Sequence, residues 1–227
     1  PGADDRPALA AARLREVLVG LGLQQIMNYS FLAEGLLDLF DGGAAAQRVK
    51  LANPLTADHT VMRDALLPQM VETIGLNVSR QVTQAALFET GRVFRLGADS
   101  LPMEADHVAI GLAGAVGRAG MDQFLPVSEQ DMFLWIKGVW EQAAAALNVA
   151  DVTLRPADRP WSEPGRGLEL VAGAAVIGWL GSKMLRTVAL PATVSLLGER
   201  RWKVATPRRR RRSAGGDGGE IIASHRE

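Results

Sequence analysis

Cysteine is absent from all 227 residues. Disulfides, thiolate metal sites and cysteine nucleophiles are therefore excluded, and the composition suits a reducing compartment. Long apolar runs are missing too. Each is broken by Gly, Pro or charge before the roughly 18 residues a membrane span requires. The opening PGADDRPALAAARLRE is acidic and then helical. No basic n-region with an apolar h-region is read there, so a cytoplasmic location without a membrane is expected. Without a leader, the glycosylation patterns at Asn28 and Asn77 are chance matches. Net charge is also lacking, but unevenly. Arg200, Arg201, Lys203 and Arg208 to Arg212 are eight of the 25 basic residues, which leaves 17 against 25 acidic ones, or −8 on the rest. A nucleic-acid-binding body would normally be basic.

What is present is enough apolar material, 48%, to fill a sizeable core. Leu9, Leu14, Val17, Leu18 and Leu21 recur at helical spacing and predict a helix over 7–21, opened by Pro7 and closed by Gly20 and Gly22. Residues 24–32 read as a strand, 33–40 as a short helix and 49–52 as a short strand. A helix over 60–79 carries Met62, Leu66, Leu67, Met70, Val71, Ile74 and Leu76, with Pro68 either in its first turn or bending it. Residues 85–96 and 107–116 read as strands with no helix between them, most simply an antiparallel pair. A long helix spans about 129–148. Strands follow at 152–155, 168–171 and 174–180, the last two joined by Ala172-Gly173 as a hairpin. This order predicts an α+β fold, a mainly antiparallel sheet flanked by helices. Residues 1–186 read as one domain. Residues 187–227, ending in an arginine block and Gly-rich sequence, read as a disordered basic tail. The abrupt change there also reads as a truncated or misread gene end, which resequencing the locus would test.

The stretch from Leu51 to Arg95 is distinctive in wording yet poor in reactive groups. Asp58, His59 and Thr60 read as helix caps rather than an acid/base pair. Asp64 suits the positive end of a helix, and Arg63 calls for a carboxylate such as Glu72 or Glu89. Glu89, in an apolar strand, must pair with Arg92 or Arg63 if buried; a face open to solvent is the alternative. Gly111, Gly114 and Gly117 lack the phosphate-binding spacing and read as packing or turn positions.

Seven blocks, in order, resemble one family. They are Gly22-Leu23-Gln24-Gln25-Ile26-Met27-Asn28-Tyr29-Ser30-Phe31, Lys50-Leu51-Ala52-Asn53-Pro54-Leu55, His59-Thr60-Val61-Met62-Arg63 running to Leu66-Leu67-Pro68, and Leu87-Phe88-Glu89-Thr90-Gly91-Arg92-Val93-Phe94. Lys137-Gly138-Val139, Pro164-Gly165-Arg166 and Ile177-Gly178-Trp179-Leu180-Gly181 follow. Together they resemble the synthetase-core-like domain of the bacterial phenylalanine–tRNA ligase beta subunit over roughly residues 7–183. The resemblance implies a class II aminoacyl-tRNA synthetase-like fold that has lost its active site. It implies an (αβ)2 heterotetramer in which the alpha subunit, using ATP and Mg2+, charges tRNA(Phe) with phenylalanine. The family's editing, metal-binding and C-terminal tRNA-binding parts have no counterpart here, so the chain is expected to be a fragment with a supporting and assembly role.

A working class II site needs an arginine beside an acid, and a Gly-rich strand leading to a second arginine, to offset charge during adenylate transfer. Gly91-Arg92-Val93-Phe94-Arg95 resembles the first element, but Leu96-Gly97-Ala98 follows and no acid stands beside Arg95. At 177–183 a lysine replaces the second arginine and cannot supply its bidentate fork. Arg92 and Arg95 are thus expected to be a degenerate motif. No catalytic, cofactor-binding or metal-ligating residue is assigned. Leu66, Met70, Leu134 and Trp140 are the candidate alpha-subunit contacts. Trp135, Trp161 and Trp179 serve equally as contact anchors or core. Two alternatives remain: a competent class II adenylating enzyme, and an RNA-binding module using the arginine run 208–212.

Overall fold

A computed structural model describes residues 6–41, 44–82, 84–114, 116, 127–149, 151–184 and 193–198. Its main feature is a seven-stranded sheet in the order β1-β4-β5-β9-β8-β7-β6. These are β1 (Gln24–Gln25), β4 (Ala85–Leu96), β5 (Pro102–Ala113), β6 (Val152–Pro156), β7 (Gly167–Ala172), β8 (Ala175–Met184) and β9 (Thr193–Gly198). Only the β1–β4 pair is parallel. A small antiparallel pair, β2 (Phe31–Leu32) with β3 (Val61–Met62), stands apart. The helices are α1 (Arg6–Gly20), α2 (Glu34–Asp41), α3 (Leu67–Ser79) and α4 (Glu129–Ala146). The expected α+β architecture is what forms.

Helices cover both faces of the sheet. Alternation along β4 and β5 sorts their side chains. Phe88, Val108, Ile110 and Leu112 join Leu14 and Leu18 of α1 and Ile136 and Trp140 of α4 in one core. Leu87, Val93 and Ala109 join Leu66, Met70 and Ile74 in a second core under α3. Gly111 lets α3 approach, since a Cβ there would meet Ile74 Cδ1 at 2.5 Å. Gly114 turns the chain with φ +75°. Both match the packing and turn roles expected; Gly117 lies outside the described residues.

α3 begins at Leu67, not at Thr60. A start at Thr60 would place Pro68 inside the helix, where its ring clashes and its missing N–H costs a bond. With the observed start, Pro68 sits in the first turn. Residues 61–63 are extended instead. Met62 N donates to Val49 O at 2.8 Å and Arg63 N to Ser30 O at 2.9 Å. Asp58, His59 and Thr60 therefore cap no helix. His59 closes a turn, its Nδ1 3.1 Å from Thr56 Oγ1. Asp64 is buried three residues ahead of α3. The expected strand at 49–52 is reduced to a single bridge between Lys50 and Val61.

α4 has a cap the sequence reading overlooked. Ser128 Oγ accepts from Asp131 N at 3.0 Å, and Asp131 Oδ2 accepts from Ser128 N at 3.4 Å. Ser128→Ala should lower thermal stability by about 1 kcal/mol without changing the far-UV spectrum.

The C-terminal boundary needs correction. Residues 187–227 were read as disordered, yet Thr193–Gly198 form β9, hydrogen-bonded to β5 on one side and β8 on the other. The six residues TVSLLG are apolar enough to pair on both sides, and the charged stretch begins only after them. Residues 199–227, with the arginine run, lie outside the described residues.

At the far edge of the sheet, Arg155 Nη2 donates to Glu169 Oε2 at 2.6 Å. That bond holds the Glu169 carboxyl below the ordinary value of 4.5; partial burial opposes it, while the Trp179 indole and Arg159 add to it. A lowered carboxyl pKa stabilises the fold fully above the ordinary value and is lost as pH falls through the lowered one. Glu169→Gln should lower the melting temperature at neutral pH, and the difference from the wild type should shrink as pH falls below 4.5.

Candidate partner-binding site

Residues 24–32 form no continuous strand. β1 pairs with β4 only at Gln24 and Gln25, and Ile26 N still reaches Phe88 O at 2.8 Å. At the next ladder position the Glu89 side chain intervenes. Asn28 N donates to Glu89 Oε1 at 3.2 Å, and Asn28 Nδ2 to Glu89 Oε2 at 2.8 Å. From there side chains and residues 60–63 replace the ladder. The carbonyl of Asn28 accepts from Arg63 Nη1 at 3.4 Å, and that of Tyr29 from Gln69 Nε2 at 2.8 Å. Phe31 O takes a second bond from Gln69 at 3.3 Å, and Leu32 O accepts from Thr60 N at 3.1 Å. Thr73 Oγ1 donates to Asn28 Oδ1 at 3.1 Å, tying the segment to α3.

Arg63 and Glu89 are the centre of this clamp. Arg63 Nη1 donates to Glu89 Oε1 at 2.6 Å, with side-chain exposures of 5% and 1%. Arg63 Nε donates to Arg92 O at 2.9 Å, and Phe94 N to Arg63 O at 2.8 Å. The guanidinium crosses β4 directly over Gly91, where any Cβ would collide with Nη2. Of the partners expected for Arg63, Glu89 is used and Glu72 is not. Arg92 is turned outward to Glu104 at 2.8 Å and Asp106 at 3.8 Å.

The clamped segment turns its alternate side chains to solvent. Met27 is 91% exposed and Tyr29 73%. The His59 ring lies edge-on to Tyr29 with 5.8 Å between ring centroids, and Leu55, in the same loop as His59, is 96% exposed. Leu76 of α3, one turn beyond Thr73, is half exposed. The residues proposed from the sequence as partner contacts fare differently. Leu66, Met70 and Trp140 are buried in the two cores and present no surface. Met70 and Trp140 lie on buried sides of α3 and α4, Leu66 directly precedes α3, and such positions cannot be told from an interface by composition. Leu134 is exposed on α4, across the sheet from α3.

Of the elements expected as phosphate-handling remnants, Arg92 faces the α1 side of the sheet, whereas Arg95, of the same parity as Gly91, faces the α3 side. Arg92 lies beside a cleft of about 280 Å³ on the α1 face, with Arg15, Thr90, Asp106 and His107. Arg95 Nη2 reaches Asp64 O at 3.3 Å. Gly181 of the second element lies on the α3 face under the Trp161 ring, where a Cβ would meet the indole at 2.9 Å. Arg92 is paired with Glu104, Arg95 with the Asp64 carbonyl, and the Trp161 indole covers Gly181. Among the described residues no group of three or more His, Asp or Glu could hold a metal, and no helix is long and apolar enough to cross a membrane.

A family profile described as "Phenylalanyl tRNA synthetase beta chain CLM domain" matches residues 1–196. The chain belongs to this family. The phenylalanine–tRNA ligase beta subunit of Xanthomonas oryzae pv. oryzae (strain MAFF 311018) is 36% identical over 170 residues, covering 74% of this chain and 21% of that protein. That of Moorella thermoacetica is 35% identical over 186 residues, covering 78% and 22%. The chain thus spans about a fifth of the length of these relatives. Two solved structures of a pyrrolysyl-tRNA synthetase from Desulfitobacterium hafniense share its fold, with TM-scores of 0.61 and 0.64 over 84% of this chain. Their sequence identities are 14% and 13%, so the likeness is one of class II synthetase fold alone.

In this beta-chain domain the informative residues were partly visible in the sequence. Glu89 stood out as a charge in an apolar strand. Met27 and Tyr29 alternate with polar residues, which signals an extended segment but not which side is covered. Trp161 lies in an irregular stretch between β6 and β7 and gave no periodic signal.

Proposed function

We propose that this chain is a non-catalytic part of a phenylalanine–tRNA ligase beta subunit and that its task is assembly with the alpha subunit. The observation that carries this reading is the exposure of Met27 and Tyr29 on a segment clamped by the buried Arg63–Glu89 pair, with Leu55 and Leu76 exposed as well. Large apolar side chains held exposed on an ordered segment mark interaction surfaces. The relatives are beta subunits, which implies a second kind of chain to receive such a surface. The whole enzyme is an (αβ)2 heterotetramer in the cytoplasm that uses ATP and Mg2+ to join phenylalanine to tRNA(Phe). Adenylate formation belongs to the alpha subunit, and this chain binds neither nucleotide nor metal by itself.

The test is co-expression with the cognate alpha subunit, followed by size-exclusion chromatography and ATP–pyrophosphate exchange. Co-elution, with phenylalanine-dependent exchange only when the alpha subunit is present, is expected. Exchange by the isolated chain would overturn the reading in favour of a competent adenylating enzyme, and failure to co-elute would remove the assembly role.

A further inference from the structure

Resting on that reading, we infer that the buried Arg63–Glu89 pair is a positioning device. It holds Asn28 to Ser30 away from the sheet so that Met27 and Tyr29 are displayed to the alpha subunit. Three observations lead there. First, a nearly dry ion pair rarely adds net stability over apolar packing of the same volume, so what this pair contributes is geometry. Second, beyond their mutual contact and the Arg63 bond to Arg92 O, the side-chain bonds of the pair among the described residues go to one segment. Glu89 receives both donors of Asn28, and Arg63 reaches the Asn28 carbonyl. Third, the pair sits where the segment parts from β4, and Gly91 gives the guanidinium room to cross that strand. An uninterrupted ladder would have continued β1 along β4. The clamp instead places the backbone of 28–30 between β4 and α3, with the side chains of 27 and 29 outward.

The experiment compares three variants of the full 227-residue chain with the wild type: Met27→Ala/Tyr29→Ala, Asn28→Ala and Arg63→Met/Glu89→Leu. Affinity for the purified alpha subunit is measured by titration calorimetry, folding by thermal melting, and local order by amide hydrogen exchange. Met27→Ala/Tyr29→Ala should weaken binding about tenfold or more, as loss of central aromatic anchors does. Arg63→Met/Glu89→Leu should keep a cooperative melt, weaken binding by a similar factor, and speed exchange selectively at 26–31. Asn28→Ala should do the same to a smaller degree, and it decides the matter if the double variant fails to fold. Wild-type affinity in the clamp variants, alongside weak binding by Met27→Ala/Tyr29→Ala, overturns the positioning role and leaves the assembly reading standing. No binding by the wild type overturns both.

Discussion

Glu89→Ala is expected to destabilise the chain by about 3–5 kcal/mol, because it strands the Arg63 guanidinium in the core without its counter-charge. Arg63 has little recourse to water, being 4% exposed, and its remaining acceptors are the carbonyls of Arg92 and Asn28. Asn28 loses the acceptor for both its backbone and side-chain donors at the same time. Set against a total of about 5–15 kcal/mol for a domain of ordinary stability, this is a large share. Chemical denaturation at neutral pH measures it. Arg63→Met/Glu89→Leu removes both charges together and should lie within about 1–2 kcal/mol of the wild type. If Glu89→Ala and the double substitution prove equally damaging, the loss comes from packing and not from the uncompensated charge.

Trp161→Ala should cost about 3–5 kcal/mol, through lost transfer energy and the cavity left over β8. The indole is 6% exposed and belongs to the same core as Met70, Ile74 and Val93. Its contact with Gly181 makes a sharper test possible. Gly181→Ala alone forces a methyl to within 2.9 Å of the ring and should destabilise by about 1–3 kcal/mol through overpacking. In the Trp161→Ala background the same methyl enters vacated space and should cost less. The two substitutions should therefore be non-additive in a double-mutant cycle. Additive losses would mean that the ring does not rest on Gly181.

Elements with a long, regular signal were readable from the chain. α4 combines an apolar face of Met132, Ile136, Val139 and Ala143 with helix-favouring residues, and β4–β5 is a long apolar pair without an intervening helical pattern. Less readable were places where a side chain overrides the backbone period. Residues 24–32 alternate as a strand should, but alternation does not name the partner that satisfies the backbone. Here the partner is successively β4, a carboxylate, a glutamine and β3. The choice between Arg63 and Arg92 for Glu89 turned on strand parity: Glu89 and Gly91 share a face, and Arg92 takes the other. β9 escaped notice because six residues beside a charge-rich stretch carry too little pattern to be told from a tail.

β9 also sets the order in which the fold can be completed. Its neighbours are both earlier in the chain, and Ile110 and Leu180 each pair with Leu197. Before Leu197 is available, β1-β4-β5 and β8-β7-β6 are two open half-sheets, each with an unpaired edge. Such edges invite association with other chains, and late closure between distant residues is slow. A nascent or truncated chain lacking these six residues would thus expose two adhesive borders at the middle of what should be one surface.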